Sequence, residues 1–137
     1  GWNFKFTDIQ AVIGLEQMKK LDWRVNRKKE ILELYKENLK NVPQITFFEQ
    51  DLKLTTPWFI DALVENRHKL QDFLKKNGIG SRVMYPPINK QEAYNQDTEH
   101  PISNLVGKQG LWFPSASQLT DEDINKITDI VNEFYNK

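Results

Sequence analysis

The chain has no cysteine, and this absence excludes the most chemistry: there can be no disulfide framework, thiolate metal site or cysteine nucleophile. Histidine is almost as scarce, with two residues, His68 and His100, far apart in sequence. A zinc or transition-metal site needs more imidazoles or clustered carboxylates than this. No charge predominates, because 19 Lys and Arg balance 19 Asp and Glu. A nucleic-acid surface or an anionic membrane is therefore not expected as a partner. No apolar run approaches the roughly 18 residues of a membrane span, and no signal peptide is visible. No Gly-rich phosphate loop and no Ser–His–Asp order is present. The lack of an initiating Met is what a fragment, a processed product or a cloned domain would show.

What remains is the composition of a folded domain. The 137 residues are 39% hydrophobic, with four Trp, eight Phe and four Tyr, enough to bury a core. Thr7 and Gln10 form a T-x-x-Q capping box ahead of Ile9, Val12, Leu15, Met18, Leu21 and Val25, which recur at helical spacing. Ile31, Leu34, Tyr35 and Leu39 extend the pattern, so residues 7–41 read as one long helix, or as two with a bend near Leu21–Trp23. Unbroken, such a helix would span about 50 Å, so part of it is expected to pack on another domain or subunit. The polar stretch RVNRKKE within it reads as a solvated face.

ITFFE (45–49) and PWFIDALV (57–64) have strand composition. Asn66 is placed to cap a helix carrying Leu70, Phe73 and Leu74, and Asn77-Gly78 to end it. SRVMY (81–85) reads as a short strand stopped by Pro86-Pro87, and 86–101 as a long loop with one helical turn. A short helix near 102–108 and a strand GLWFP (110–114) follow. Thr120 and the acids 121–123 then open a last helix with Ile124, Ile127, Val131, Phe134 and Tyr135 on one face. The expected class is α+β: a long N-terminal helix and a small, mostly antiparallel sheet with helices packed on one side.

Several polar side chains stand where folding does not obviously need them. Asn3 and Lys5 precede the first helix, Arg82 and Tyr85 lie on the short strand, and Asn89, Lys90 and Tyr94 lie in the proline-bounded loop. Amide, guanidinium, ammonium and phenol donors suit a phosphate or a polyhydroxylated ligand. The plainer alternative makes Arg82 and Lys90 ordinary surface charges and Tyr85 a core aromatic.

The segment GWNFKFTDIQAVIGLEQMKKLDWRVNRKKEILELY resembles a motif of the DegT/DnrJ/EryC1/StrS group of sugar-nucleotide aminotransferases. Gly1, Asn3, Ile9, Gln10, Ala11, Gly14, Gln17, Leu21, Asp22, Arg27 and Tyr35 fall on its pattern. NGIGSRVMYPPINKQEAY and GLWFPSASQLTDEDI resemble two later motifs in the same order. Within the group, the chain looks most like the perosamine-synthase type, which aminates C4 of a nucleotide-linked 4-keto-6-deoxy sugar.

The resemblance implies the small C-terminal domain of a fold-type I enzyme that uses pyridoxal 5'-phosphate (PLP), spanning residues 1–137. The large domain, with the Schiff-base lysine, would lie upstream, and this chain alone would be inactive. It further implies a cytoplasmic homodimer with shared active sites, taking glutamate and a nucleotide sugar. Asn3 would hydrogen-bond the PLP phosphate of the partner subunit. Lys5, which stands where relatives usually have Arg, and Arg82, Tyr85, Asn89 and Tyr94 would face substrate. Asn89 replaces a common His, which favours binding over proton transfer. Two alternatives stay open: a PLP-dependent sugar dehydratase of the same family, and a non-catalytic α+β binding or dimerisation module.

Overall fold

The computed structural model describes residue 2, residues 4–94 and residues 98–136. Two helices lead: α1 (Asp8–Met18) and α2 (Leu21–Asn38). Then come β1 (Ile45–Phe47), β2 (Ile60–Val64), α3 (Arg67–Lys76), β3 (Arg82–Val83), a 3-10 turn (Ile88–Lys90), α4 (Pro101–Gln109), β4 (Gly110–Phe113) and α5 (Asp121–Tyr135). The four strands form one sheet in the order β1-β2-β4-β3, with every neighbouring pair antiparallel. This is the α+β class expected.

The single-helix form of residues 7–41 is not observed. The helix breaks at Lys19–Lys20, just ahead of the expected bend. There the backbone switches from Lys19 N–H→Leu15 O to the tighter Lys20 N–H→Gln17 O, and Arg24 donates to Gln17 Oε1 across the break at 2.7 Å. The two halves differ in burial. Ile31, Leu32 and Tyr35 of α2 are buried, whereas α1 buries no residue within this chain. Ile9, Val12, Leu15 and Met18 are all more than half exposed.

The core lies between one face of the sheet and helices α2, α3 and α5. Ile60, Ala62 and Val64 of β2 alternate inward and meet Leu111 and Phe113 of β4, Leu70 and Leu74 of α3, and Ile124, Ile127 and Val131 of α5. Tyr35 joins the layers: it packs on Phe47 and Phe113 and donates its hydroxyl to Pro114 O at 3.0 Å.

Two boundary readings hold and two need correction. Thr7/Gln10 is a complete capping box, and Gly78 closes α3 with φ +75°, a conformation that favours glycine. Asn66 precedes α3 but does not cap it: its backbone is left-handed (φ 54°) and its side chain makes no cap bond. RVNRKKE is also not a uniformly solvated face. Arg27, 13% exposed, bonds Asp121 Oδ1 at 2.7 Å and Leu119 O at 2.7 Å, pinning α2 to the start of α5. Burial opposes its charge, but Asp121 and Glu30 outweigh that and raise its pKa.

At α5, Thr120 accepts from Asp123 N–H, and Asp123 Oδ2 accepts from Thr120 N–H. The hydrogen bonds from the Thr120 backbone and hydroxyl hold the Asp123 carboxyl below its ordinary value of 3.8. Thr120→Ala should cost about 1 kcal/mol. Because the folded pKa is depressed, the Asp123 contribution is complete above the ordinary carboxylate range and drains away as pH falls through the folded value. The melting-temperature gap between wild type and Thr120→Ala should therefore narrow on acidification, and a gap that widens would contradict the capping account.

Candidate functional site: the open face of the sheet

Strand alternation that sends Ile60, Ala62, Leu111 and Phe113 into the core sends their neighbours to the opposite face. Asp61 pairs with Trp112, and Trp112 with Arg82, so three side chains from three strands stand in a row across that face. Phe59 stacks on Trp112 with ring centroids 4.2 Å apart and planes 13° from parallel. Tyr85 meets the indole edge-on at 5.2 Å. The Arg82 guanidinium carbon lies 5.5 Å from the centroids of both Tyr85 and Trp112, within cation–π range. A shallow cleft of about 320 Å³ borders this row, lined by Phe59, Ser81, Arg82, Trp112 and Ser115 among others.

The electrostatics of the row are uneven. Arg82 makes no hydrogen bond or ion pair with a described residue, so its donors are available to a ligand. Asp61 is half-buried, and desolvation raises its carboxyl pKa, with the Trp112 indole N–H tempering the rise. That contact falls short of hydrogen-bond geometry, leaving the buried Nε1 without a partner. Ser81 Oγ is also buried and unpartnered. Lys28 closes one end, donating to Trp58 O at 2.8 Å and Ser115 Oγ at 3.0 Å, and burial lowers its pKa.

Of the residues singled out in the sequence, the fold brings Arg82 and Tyr85 together. Tyr85 is 65% exposed, which removes the reading of it as a core aromatic. Among the described residues no hydrogen bond or ring contact joins Asn89 or Tyr94 to Arg82. Asn89 is buried in the 3-10 turn and its Nδ2 donates to Thr98 O at 3.4 Å. Tyr94 is 57% exposed in the loop beyond. Lys5 is exposed ahead of α1, beside the exposed Phe4 and Phe6. Asn3 lies outside the described residues. The proline loop is set by α4: a Cβ on Gly107 would come within 2.5 Å of Pro87 Cδ, so only glycine lets the loop dock this closely. Arg67 Nη1 donates to Gly107 O at 2.7 Å and fixes the same junction, where burial lowers its pKa.

Trp112, Phe59 and Asp61 were not singled out from the sequence. The available signal was the period-two alternation of FIDALV against GLWF, which places Asp61 and Trp112 on the same face once the strands pair. A larger cleft, about 480 Å³, opens at the far end of β2 around Arg67, His68, Lys69 and Lys108, away from this row. Among the described residues there is no cluster able to hold a metal ion and no helix long and apolar enough to cross a membrane.

A four-stranded antiparallel sheet backed by helices on one face is a fold shared with solved aminotransferase structures. Residues 1–132 match the DegT/DnrJ/EryC1/StrS aminotransferase family, and the chain belongs to that family. Over 139 residues it is 32% identical to GDP-perosamine synthase of Escherichia coli O157:H7, an alignment that takes in 98% of this chain and 38% of that protein. It is 25% identical to GDP-perosamine synthase of Vibrio cholerae, over 98% of this chain and 39% of that one. A DegT DnrJ EryC1 StrS aminotransferase from Brucella abortus superimposes with a TM-score of 0.79 at 26% identity, covering 94% of this chain and 36% of that structure. The sugar aminotransferase CalS13 from Micromonospora echinospora gives 0.85 at 20% identity over 97% and 37%, and shares the fold. The chain thus spans a little over a third of the length of the relatives it matches.

Proposed function

We propose that this chain is the small C-terminal domain of a PLP-dependent aminotransferase that moves an amino group from glutamate to a nucleotide-linked 4-keto-6-deoxy sugar. The single observation behind this reading is the alignment of 98% of the chain with GDP-perosamine synthase at 32% identity. The large domain, residing upstream, holds the cofactor, and two subunits share each active site. PLP supplies the electron sink for amino transfer.

The described residues do not build a cofactor cradle by themselves: the clefts are open, and the half-buried Lys28 is engaged by Trp58 O and Ser115 Oγ. This chain's share is to bind and orient. Arg82 offers a planar two-pronged donor to an anionic group of the substrate. Tyr85 offers a ring face and a hydroxyl, with Lys5, Asn89 and Tyr94 as further substrate contacts. Asn3 donates its amide to the cofactor phosphate across the dimer interface without adding charge there.

The test is Asn3→Ala in the full-length enzyme. PLP affinity should fall about fivefold, as expected for losing one hydrogen bond, read from cofactor absorbance on dialysis. Unchanged retention and activity would remove Asn3 from the phosphate.

A further inference from the structure

Arg82 stands two strands from a carboxylate of opposite charge and does not pair with it. Asp61 and Arg82 both lie opposite Trp112 in the antiparallel register, one on each side. Their backbones are therefore two strand spacings apart, about 10 Å, a gap that an extended arginine and an aspartate can bridge. Asp61 is half-buried, so an ion pair there would be screened little by solvent. Nevertheless no ion pair joins them.

The indole fills the space between. It is 7% exposed, clamped from one side by Phe59 at 4.2 Å, with the guanidinium 5.5 Å from its centroid and Asp61 as its register partner on the other strand. Phe59 fixes the ring's rotation, and Tyr85 closes the arginine's other flank.

We infer that Trp112 is a spacer, a positioning residue that stands between Asp61 and Arg82 and keeps the guanidinium unpaired and presented to an anionic ligand on the open face. The inference rests on the reading of Arg82 as an anion receptor. Without the indole, Arg82 folds across the sheet onto Asp61 and its two-pronged donor is consumed inside the protein. Asp61 is then the residue that quenches the site, and Trp112 the one that prevents it.

The test is calorimetric titration of the full-length holoenzyme, its cofactor site filled, with inorganic pyrophosphate. Arg82→Gln should weaken binding by about tenfold or more, as charge-assisted bonds of this kind are worth. Trp112→Ala should weaken it comparably, Asp61→Asn alone should leave it unchanged, and Trp112→Ala/Asp61→Asn should recover to within about threefold of wild type. That rescue separates a spacer from a packing residue, because removing Asp61 cannot refill a cavity. Trp112→Phe keeps an aromatic on Phe59 and should show a smaller loss with the same rescue, so the question remains answerable if Trp112→Ala does not fold. Equal binding by Arg82→Gln and wild type would overturn the receptor reading and this inference with it. Loss in Arg82→Gln, with no loss in the Trp112 variants or no rescue by Asp61→Asn, would overturn the spacer alone.

Discussion

Tyr35→Ala is expected to lower unfolding stability by about 3–5 kcal/mol, the range for deleting a fully buried aromatic. Tyr35 has no exposed surface and packs its ring on Phe47 of β1 and Phe113 of β4, with centroids 6.5 and 5.5 Å away. Its hydroxyl satisfies Pro114 O just beyond β4, and burial raises the phenol's pKa, so the group stays a neutral donor. One side chain therefore ties α2 to both an edge strand and a central strand. Tyr35→Phe isolates the polar part: the ring contacts persist, Pro114 O loses its donor, and the cost should be about 1 kcal/mol. Denaturant midpoints for the two variants give the comparison. A Tyr35→Ala cost no greater than that of Tyr35→Phe would mean the ring contributes nothing to holding the layers.

The parts of this architecture legible in the sequence are those fixed by local chemistry. A T-x-x-Q box sets the start of α1 whatever surrounds it, because both hydrogen bonds lie within four residues. Gly78 reads as a helix exit because few other residues tolerate its φ. Asn66 is the counter-example: its side chain suits a cap, but the sharp turn between β2 and α3 puts its backbone in the left-handed region, so the cap geometry is lost. Tertiary partners decided the polar stretch of α2 in the same way. Arg27 and Lys28 look like surface charges until Asp121, Leu119 O, Trp58 O and Ser115 arrive from distant parts of the chain.

The site divides along the same line. Arg82 and Tyr85 are three residues apart, so a local reading finds both. Asp61, Trp112 and Phe59 join them only through the β2–β4–β3 register, which no local signal specifies. The long first helix shows the reverse case. Its apolar periodicity is real, but α1 is left uncovered among the described residues. Under the proposed function, the rest of the subunit and its partner supply that cover.

Under the proposed function, Arg82→Lys in the full-length enzyme should raise KM for the nucleotide sugar by about tenfold, while leaving stability within about 0.5 kcal/mol. The substitution keeps the charge, so a site needing only a positive potential would barely notice it. What it removes is the planar fork, and the flat surface that packs against Trp112 and Tyr85 at 5.5 Å from each ring. An ammonium on a flexible stem is not held in this slot by two ring faces to the same degree, so it loses both orientation and the second hydrogen bond. Because Arg82 is exposed and bonds no described protein group, the folded state should hardly register the change. Steady-state kinetics against thermal unfolding separates the two. A KM that stays within about twofold of wild type, with the fold intact, would mean that Arg82 acts as a point charge or not at all, and that the aromatic clamp around it serves the sheet rather than the ligand.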